Sequence, residues 1–126
     1  MLTVSIVIPT LNSEKTLKDC LKSIAEQDYS RDNIEIIVAD GGSADGTIEI
    51  INSINTAYSI NPIKIVSNKL KTGEAGKAVG LRYAKNDIIA FIDSDNILPN
   101  KDWIKRMVES FIDPEIAASE PIEYTY

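Results

Sequence analysis

Residues 87–95 read DIIAFIDSD, and the reading of this stretch decides the architecture. Ile88–Ile92 is an unbroken apolar run of strand length, closed on its carboxyl side by Asp93-Ser94-Asp95. A strand apolar at every position is buried on both faces, as in a parallel sheet covered by helices. Thr3–Pro9 (TVSIVIP) and Ile34–Ala39 (IEIIVA) have the same character, and Ile63–Val66 is a shorter version of it. The second of these runs stops at Asp40-Gly41-Gly42-Ser43. The first stops at Pro9-Thr10-Leu11-Asn12.

The segments between the runs carry helical spacing. Ser13 is placed as an N-cap, Glu14 lies where the helix dipole favours an anion, and Leu17, Cys20, Leu21 and Ile24 mark one face of a helix from Glu14 to about Gln27. Asp45-Gly46-Thr47 opens a second helix with Ile48, Ile51 and Ile54 inward, ended by Asn61-Pro62. Gly73 and Gly76 bracket a loop, after which Ala78, Val79, Tyr83 and Ala84 predict a third helix. Asn100 caps a fourth, with Trp103, Ile104, Met107, Val108 and Phe111 inward. Ile122–Tyr126 (IEYTY) reads as the start of a fifth strand. The order β-α-β-α-β-α-β-α predicts a mostly parallel α/β sheet with helices on both faces, and the unfinished strand predicts a piece of a longer polypeptide.

Composition narrows the chemistry. At 126 residues the chain is one domain, and 44% hydrophobic with 25% charged residues is the balance of a globular protein. No apolar run approaches the ~20 residues a membrane helix needs, so no membrane span is expected, and the start shows no signal-peptide pattern. The net charge of −6 argues against a nucleic-acid partner. Cys20, the single cysteine, reads as a buried thiol on a helix face. There is no histidine, which removes His-based triads, imidazole acid–base catalysis and His-containing zinc sites.

In an open parallel sheet, ligands bind beyond the carboxyl ends of the strands. Two strands here end there in carboxylates, one in Asp40 and the other in Asp93 and Asp95. Acids that close apolar strands project into a polar crevice, and three of them without a histidine or lysine between call for a hard divalent cation, Mg2+ or Mn2+, bridging a phosphate. Asp93 and Asp95, two apart in an extended segment, point the same way. The plainer reading of that pair is a turn, with Asp93 capping local amides and Asp95 solvated. A glycine turn with Asp45 as the next N-cap accounts for Gly42, Ser43, Asp45 and Gly46 but leaves Asp40 unexplained. Gly73-Glu74-Ala75-Gly76-Lys77 offers a phosphate cradle at a helix start, though it is neither a P-loop nor a dinucleotide fingerprint.

Four pieces together, SIVIPTLN (Ser5–Asn12), VADGGSADGT (Val38–Thr47), GKAVGLRYAKNDIIAFIDSDN (Gly76–Asn96) and Leu98-Pro99-Asn100, resemble the donor-binding part of an inverting family 2 glycosyltransferase of GT-A fold. The resemblance runs over essentially the whole chain. It implies a Rossmann-like three-layer α/β/α sandwich, a UDP- or GDP-linked sugar as donor, a divalent metal, and a carbohydrate or lipid-phosphate acceptor. By match, Pro9, Thr10 and Leu11 line the base pocket and Asp40 accepts the base's ring N–H. Asp93 sits near the ribose with Ser94 beside it, Asp95 ligates the metal with Asp93, and Lys77 lies near the phosphates. A cytoplasmic location is implied, with any membrane attachment supplied by sequence outside this chain.

The chain departs from that family at several points. Leu11 stands where an aromatic residue is usual, Ala39 where a second acid often precedes Asp40, and Lys77-Ala78 where Arg-Asn is common. The family's catalytic base is expected on later sequence, so no catalytic residue is assigned, the acceptor-binding half is expected to be absent, and the piece alone is expected not to turn over. Two other readings of the residues stay open: a module that binds nucleotide and metal without transfer, and an α/β domain using the acidic cluster for phosphoryl chemistry.

Overall fold

The computed structural model describes residues 1–58 and 62–120, so the expected strand Ile122–Tyr126 and the expected helix end at Asn61 lie outside the described residues. In chain order the elements are β1 (Val4–Thr10), α1 (Leu17–Ala25), β2 (Ile34–Asp40), α2 (Thr47–Tyr58), β3 (Lys64–Ser67), α3 (Gly73–Tyr83), β4 (Ile88–Phe91) and α4 (Trp103–Glu109). The strands form one sheet in the order β3-β2-β1-β4. Every pairing in it is parallel, with Thr10 opposite Asp40, Asp40 opposite Ser67 and Val7 opposite Phe91. The α/β expectation therefore holds.

Because strand side chains alternate, β1 supplies both layers. Val4, Ile6 and Ile8 pack with Leu17, Leu21 and Ile24 of α1, Ile51 and Ile54 of α2 and Ile104 of α4. On the opposite face Val7 joins Ile37, Ala39 and Val66, with Val79 and Ala84 against them. The result is three layers, with α3 alone covering the second face among the described residues.

That second face corrects the expected orientation of α3. Ala78 and Tyr83 are exposed, and the buried positions of the helix are Gly76 and Gly80. A Cβ on Gly76 would stand 2.8 Å from Pro9 Cβ, and one on Gly80 only 2.2 Å from Val7 Cγ1. The helix backbone lies directly on β1, so its inner face is made of absent side chains. Gly73 and Gly76 accordingly lie in the first turn of α3, not around a loop, and Thr72 caps it by accepting the Ala75 amide (3.2 Å).

Two other helix starts also differ from expectation. α1 begins at Leu17, after a turn in which the Ser13 carbonyl accepts the amides of Thr16 (3.1 Å) and Leu17 (2.9 Å). Glu14 is thus not in a helical first turn. Before α4 the flanking residue is Asp102, which pairs with Arg106 (2.7 Å), while the Asn100 carbonyl accepts from Gln27 Nε2 (2.7 Å). No helix among the described residues is long and apolar enough to cross a membrane.

Candidate functional site

The chain runs from β1 outward to β2 and β3, then returns across to β4, so the order reverses between β1 and β4. A crevice is expected at the carboxyl ends on either side of such a switch point. Pro9 shows how it opens. The Val7 carbonyl faces β4, where it accepts the Ile92 amide (3.1 Å). Two residues on, Pro9 faces the same side, but β4 has already ended at Phe91. Its missing N–H therefore forfeits no ladder bond in a strand that is otherwise central. On the other side Thr10 still holds β2, its carbonyl accepting the Gly41 amide (2.8 Å).

Thr10 and Asp40 end their strands side by side, and both are buried. Asp40 Oδ1 accepts the hydroxyls of Thr10 (2.7 Å) and Ser43 (2.6 Å). Its Oδ2 accepts the amides of Gly42 (3.0 Å) and Ser43 (2.9 Å). Burial alone would raise its pKa, but the Ser43, Thr10 and Gly42 donors outweigh burial and hold the carboxyl below its ordinary value. A carboxylate offers about four acceptor positions, and here all are used within the chain. The turn it organises includes Gly42 at φ +92°, a left-handed conformation that favours glycine. Asp40, which turn chemistry left unexplained in the sequence, is the residue that builds the turn.

Asp93, Ser94 and Asp95 lie beyond β4, on the other side of the gap. They are not in an extended segment, because the Asn96 amide closes a turn onto the Asp93 carbonyl (3.0 Å). The alternation argument for Asp93 and Asp95 is thereby corrected: a turn, not a strand, presents them. Both are exposed, and neither carboxylate has a hydrogen bond or ion pair among the described residues. The turn is seated on α1, where Cys20 Sγ contacts the Asp93 carbonyl (3.6 Å) and the Ser94 and Ser13 hydroxyls meet at 3.2 Å. Burial first, then the charges of Asp95 and Asp93, push the Cys20 thiol up to about 12, so it stays protonated and inert.

The three acids do not form one cluster. β1 separates Asp40 from β4 by two strand spacings, ~9–10 Å, and no three acid, cysteine or histidine side chains gather as a metal site among the described residues. What remains is a fully bonded acid at β2 and a free pair beyond β4. Two exposed carboxylates suit a Mg2+ or Mn2+ ion whose other ligands are phosphate oxygens and water.

Leu11 stays close to Thr10 and is half-exposed, and Lys77 is half-buried early in α3. The charge at this edge that the sequence reading passed over is Lys71. It is exposed and left-handed at φ +65°, and its Cα comes within 3.3 Å of where a Gly41 Cβ would be, as does Leu11 Cδ1. The loops after β1, β2 and β3 thus meet at Leu11, Gly41 and Lys71. A lysine in a plain loop gives no pattern in the sequence, and its backbone conformation is what marks it.

Residues 5–123 match the family model described as glycosyl transferase family 2. Glycosyltransferase AglE of Haloferax volcanii is 30% identical over 124 residues, covering 98% of this chain and 40% of AglE. Among solved structures, the mannosyltransferase PcManGT from Pyrobaculum calidifontis in complex with GDP-Man and Mn2+ has a TM-score of 0.83 at 27% identity, over 91% of this chain and 34% of PcManGT. The 1–349 portion of S. aureus TarS in complex with UDP-GlcNAc has a TM-score of 0.74 at 29% identity, over 90% of this chain and 32% of that portion. The chain therefore spans 40% of AglE, about a third of PcManGT and 19% of TarS.

Proposed function

This chain belongs to glycosyl transferase family 2, and from that premise we propose that it holds the nucleotide-sugar donor for inverting transfer to an acceptor hydroxyl. One observation carries the reading: the buried Thr10–Asp40 pair and the free Asp93 and Asp95 carboxylates stand on opposite sides of the gap that Pro9 leaves beside β4. A nucleoside diphosphate has the two ends such a crevice wants, a base to be fixed by hydrogen bonds and a dianion to be neutralised. The GDP-Man and UDP-GlcNAc complexes of the similar proteins support a UDP- or GDP-linked donor.

In this reading Pro9, Thr10 and Leu11 line the base pocket. Asp40 takes the ring N–H when Ser43's hydroxyl, the donor that can rotate to another acceptor, yields its place on Oδ1. Ser94 and Asp93 lie towards the ribose. Lys77 and Lys71 add positive charge near the diphosphate. Asp95, with Asp93, would hold Mn2+ or Mg2+, which supplies charge neutralisation to the departing diphosphate. The acceptor, a carbohydrate or lipid phosphate, and the base that deprotonates it belong to the whole protein. We place its action in the cytoplasm.

The test is a thermal-shift titration of the chain with UDP, GDP and ADP, with and without millimolar Mn2+. Ligand bound to the folded state raises the midpoint in proportion to RT ln(1 + [L]/Kd), so affinity is read directly. UDP or GDP should shift the midpoint more with metal, and Asp95→Ala should remove that gain. Equal shifts with and without metal, or a preference for ADP over both UDP and GDP, would count against the reading.

A further inference from the structure

We infer that Asn12 is a positioning residue, which clamps the loop after β1 to the loop after β2 and so presets the Thr10–Asp40 pair. The functional part of this inference rests on the nucleotide reading above. The clamp itself rests only on geometry.

Asn12 is exposed and left-handed at φ +50°, and, with Lys71, it is one of the two non-glycine residues with positive φ among the described residues. Asparagine tolerates that conformation better than most residues, but it still has to be held there. What holds it is reciprocal. The Asn12 backbone N–H donates to Ser43 Oγ (2.8 Å), and the Ala44 backbone N–H donates back to the Asn12 side-chain Oδ1 (2.8 Å). Ser43 Oγ, fixed from one side by Asn12, donates on its other side to Asp40 Oδ1 (2.6 Å), the same oxygen that receives the Thr10 hydroxyl. The chain of bonds therefore runs from Asn12 through Ser43 to Asp40 and back to Thr10, closing on the strand end from which Asn12 departs.

The clamp continues beyond Asn12. Ser13 donates its amide to Thr47 Oγ1 (2.9 Å), Glu14 donates its amide to Asp45 Oδ2 (3.2 Å), and the Gly46 amide donates to Glu14 Oε2 (2.7 Å). These side chains spend their acceptors on amides of the facing loop, which is why α2 starts where it does. Glu14 is reciprocal in the same way; what sets Asn12 apart is that its partner, Ser43 Oγ, is the hydroxyl that donates to Asp40. Ordering these loops before a ligand arrives removes an entropic cost that binding would otherwise bear.

Two measurements on the 126-residue chain test this. Amide hydrogen exchange in the ligand-free protein reads the clamp, and the affinity for UDP or GDP with Mn2+ reads its consequence. Asn12→Ala should speed exchange of the Ala44 amide about tenfold and weaken nucleotide binding by a similar factor, the scale of the one side-chain hydrogen bond removed. Asn12→Gly, which keeps the left-handed backbone and its N–H but lacks the side-chain acceptor, should do the same, and it carries the test where the alanine variant fails to fold. Asn12→Asp keeps both the acceptor and a tolerance of positive φ, so it should restore both readouts to within about twofold of the unmutated chain. Unchanged exchange in Asn12→Gly, unchanged nucleotide affinity in that variant, or an Asn12→Asp as impaired as Asn12→Ala would each overturn the inference. If the unmutated chain binds neither UDP nor GDP, the nucleotide reading falls with it, and the exchange measurement alone decides the clamp.

Discussion

Gly80 of α3 lies so close to Val7 of β1 that a Cβ built on it would sit 2.2 Å from Val7 Cγ1. Val7 is fully buried in a central strand, and a β-branched side chain there has little rotamer freedom to retreat. Gly80→Ala should therefore destabilise the fold by about 1–3 kcal/mol through overpacking, although alanine is the better helix former by about 1 kcal/mol. Urea unfolding reads the difference. A Gly80→Ala midpoint above that of the unmutated chain would mean that α3 is free to slide away. Adding Val7→Ala should recover part of the loss, a coupling expected only of residues in contact.

The same pair explains what could and could not be read from residue types. β1 and β2 were legible because Ile6, Ile8, Ile36 and Val38 must be buried, and hydrophobic runs report burial directly. α3 was legible as a helix but not in its orientation, since Gly76 and Gly80 face the sheet and a glycine contributes no apolar signal. Asp93 and Asp95 were legible as candidates from their place after an apolar run; the turn closed by the Asn96 amide is the plainer of the two readings of that stretch, and spacing alone does not choose it over an extended segment. Asp40 was legible as unexplained. Three of its four donors come from its own turn and the fourth from Thr10 at the end of β1, so its role depends on a pairing between β1 and β2 that a linear reading cannot supply.

Acid should act on the fold through Asp40. Its folded pKa lies below the unfolded value of ~3.9, so its contribution is complete above that pH and is lost as pH falls through the lower folded value. In Asp40→Asn the remaining side-chain oxygen can still face the two amides, and the hydroxyls of Thr10 and Ser43 can turn to accept from the new NH2. The variant loses charge assistance more than bonds, and we expect a cost of about 1–2 kcal/mol at neutral pH. That gap should stay level from about pH 5 to 8 and close as pH drops below ~3.9. Urea midpoints of both proteins across this range decide it, and a gap that widened in acid would contradict the assignment.

Lys71 makes the last prediction, because its backbone and its charge can be separated. A non-glycine residue in the left-handed region costs roughly 1 kcal/mol relative to glycine, and here the position abuts Gly41 and Leu11, where the loops after β1 and β2 meet. Lys71→Gly removes that strain but also frees the unfolded chain, so the folded protein should keep its stability to within about 1 kcal/mol. If strain were the whole significance of the position, ligand binding would be untouched. If instead the lysine supplies charge towards a diphosphate, the variant should bind UDP or GDP several-fold more weakly. Its affinity for the uncharged nucleosides uridine and guanosine should be unchanged, and the salt dependence of diphosphate binding should be shallower, since one exposed cation is gone. Calorimetric titrations at two ionic strengths separate the two cases. Equal losses for nucleoside and nucleoside diphosphate would show that the variant disturbs the loop junction itself and that Lys71 is not a phosphate-facing charge.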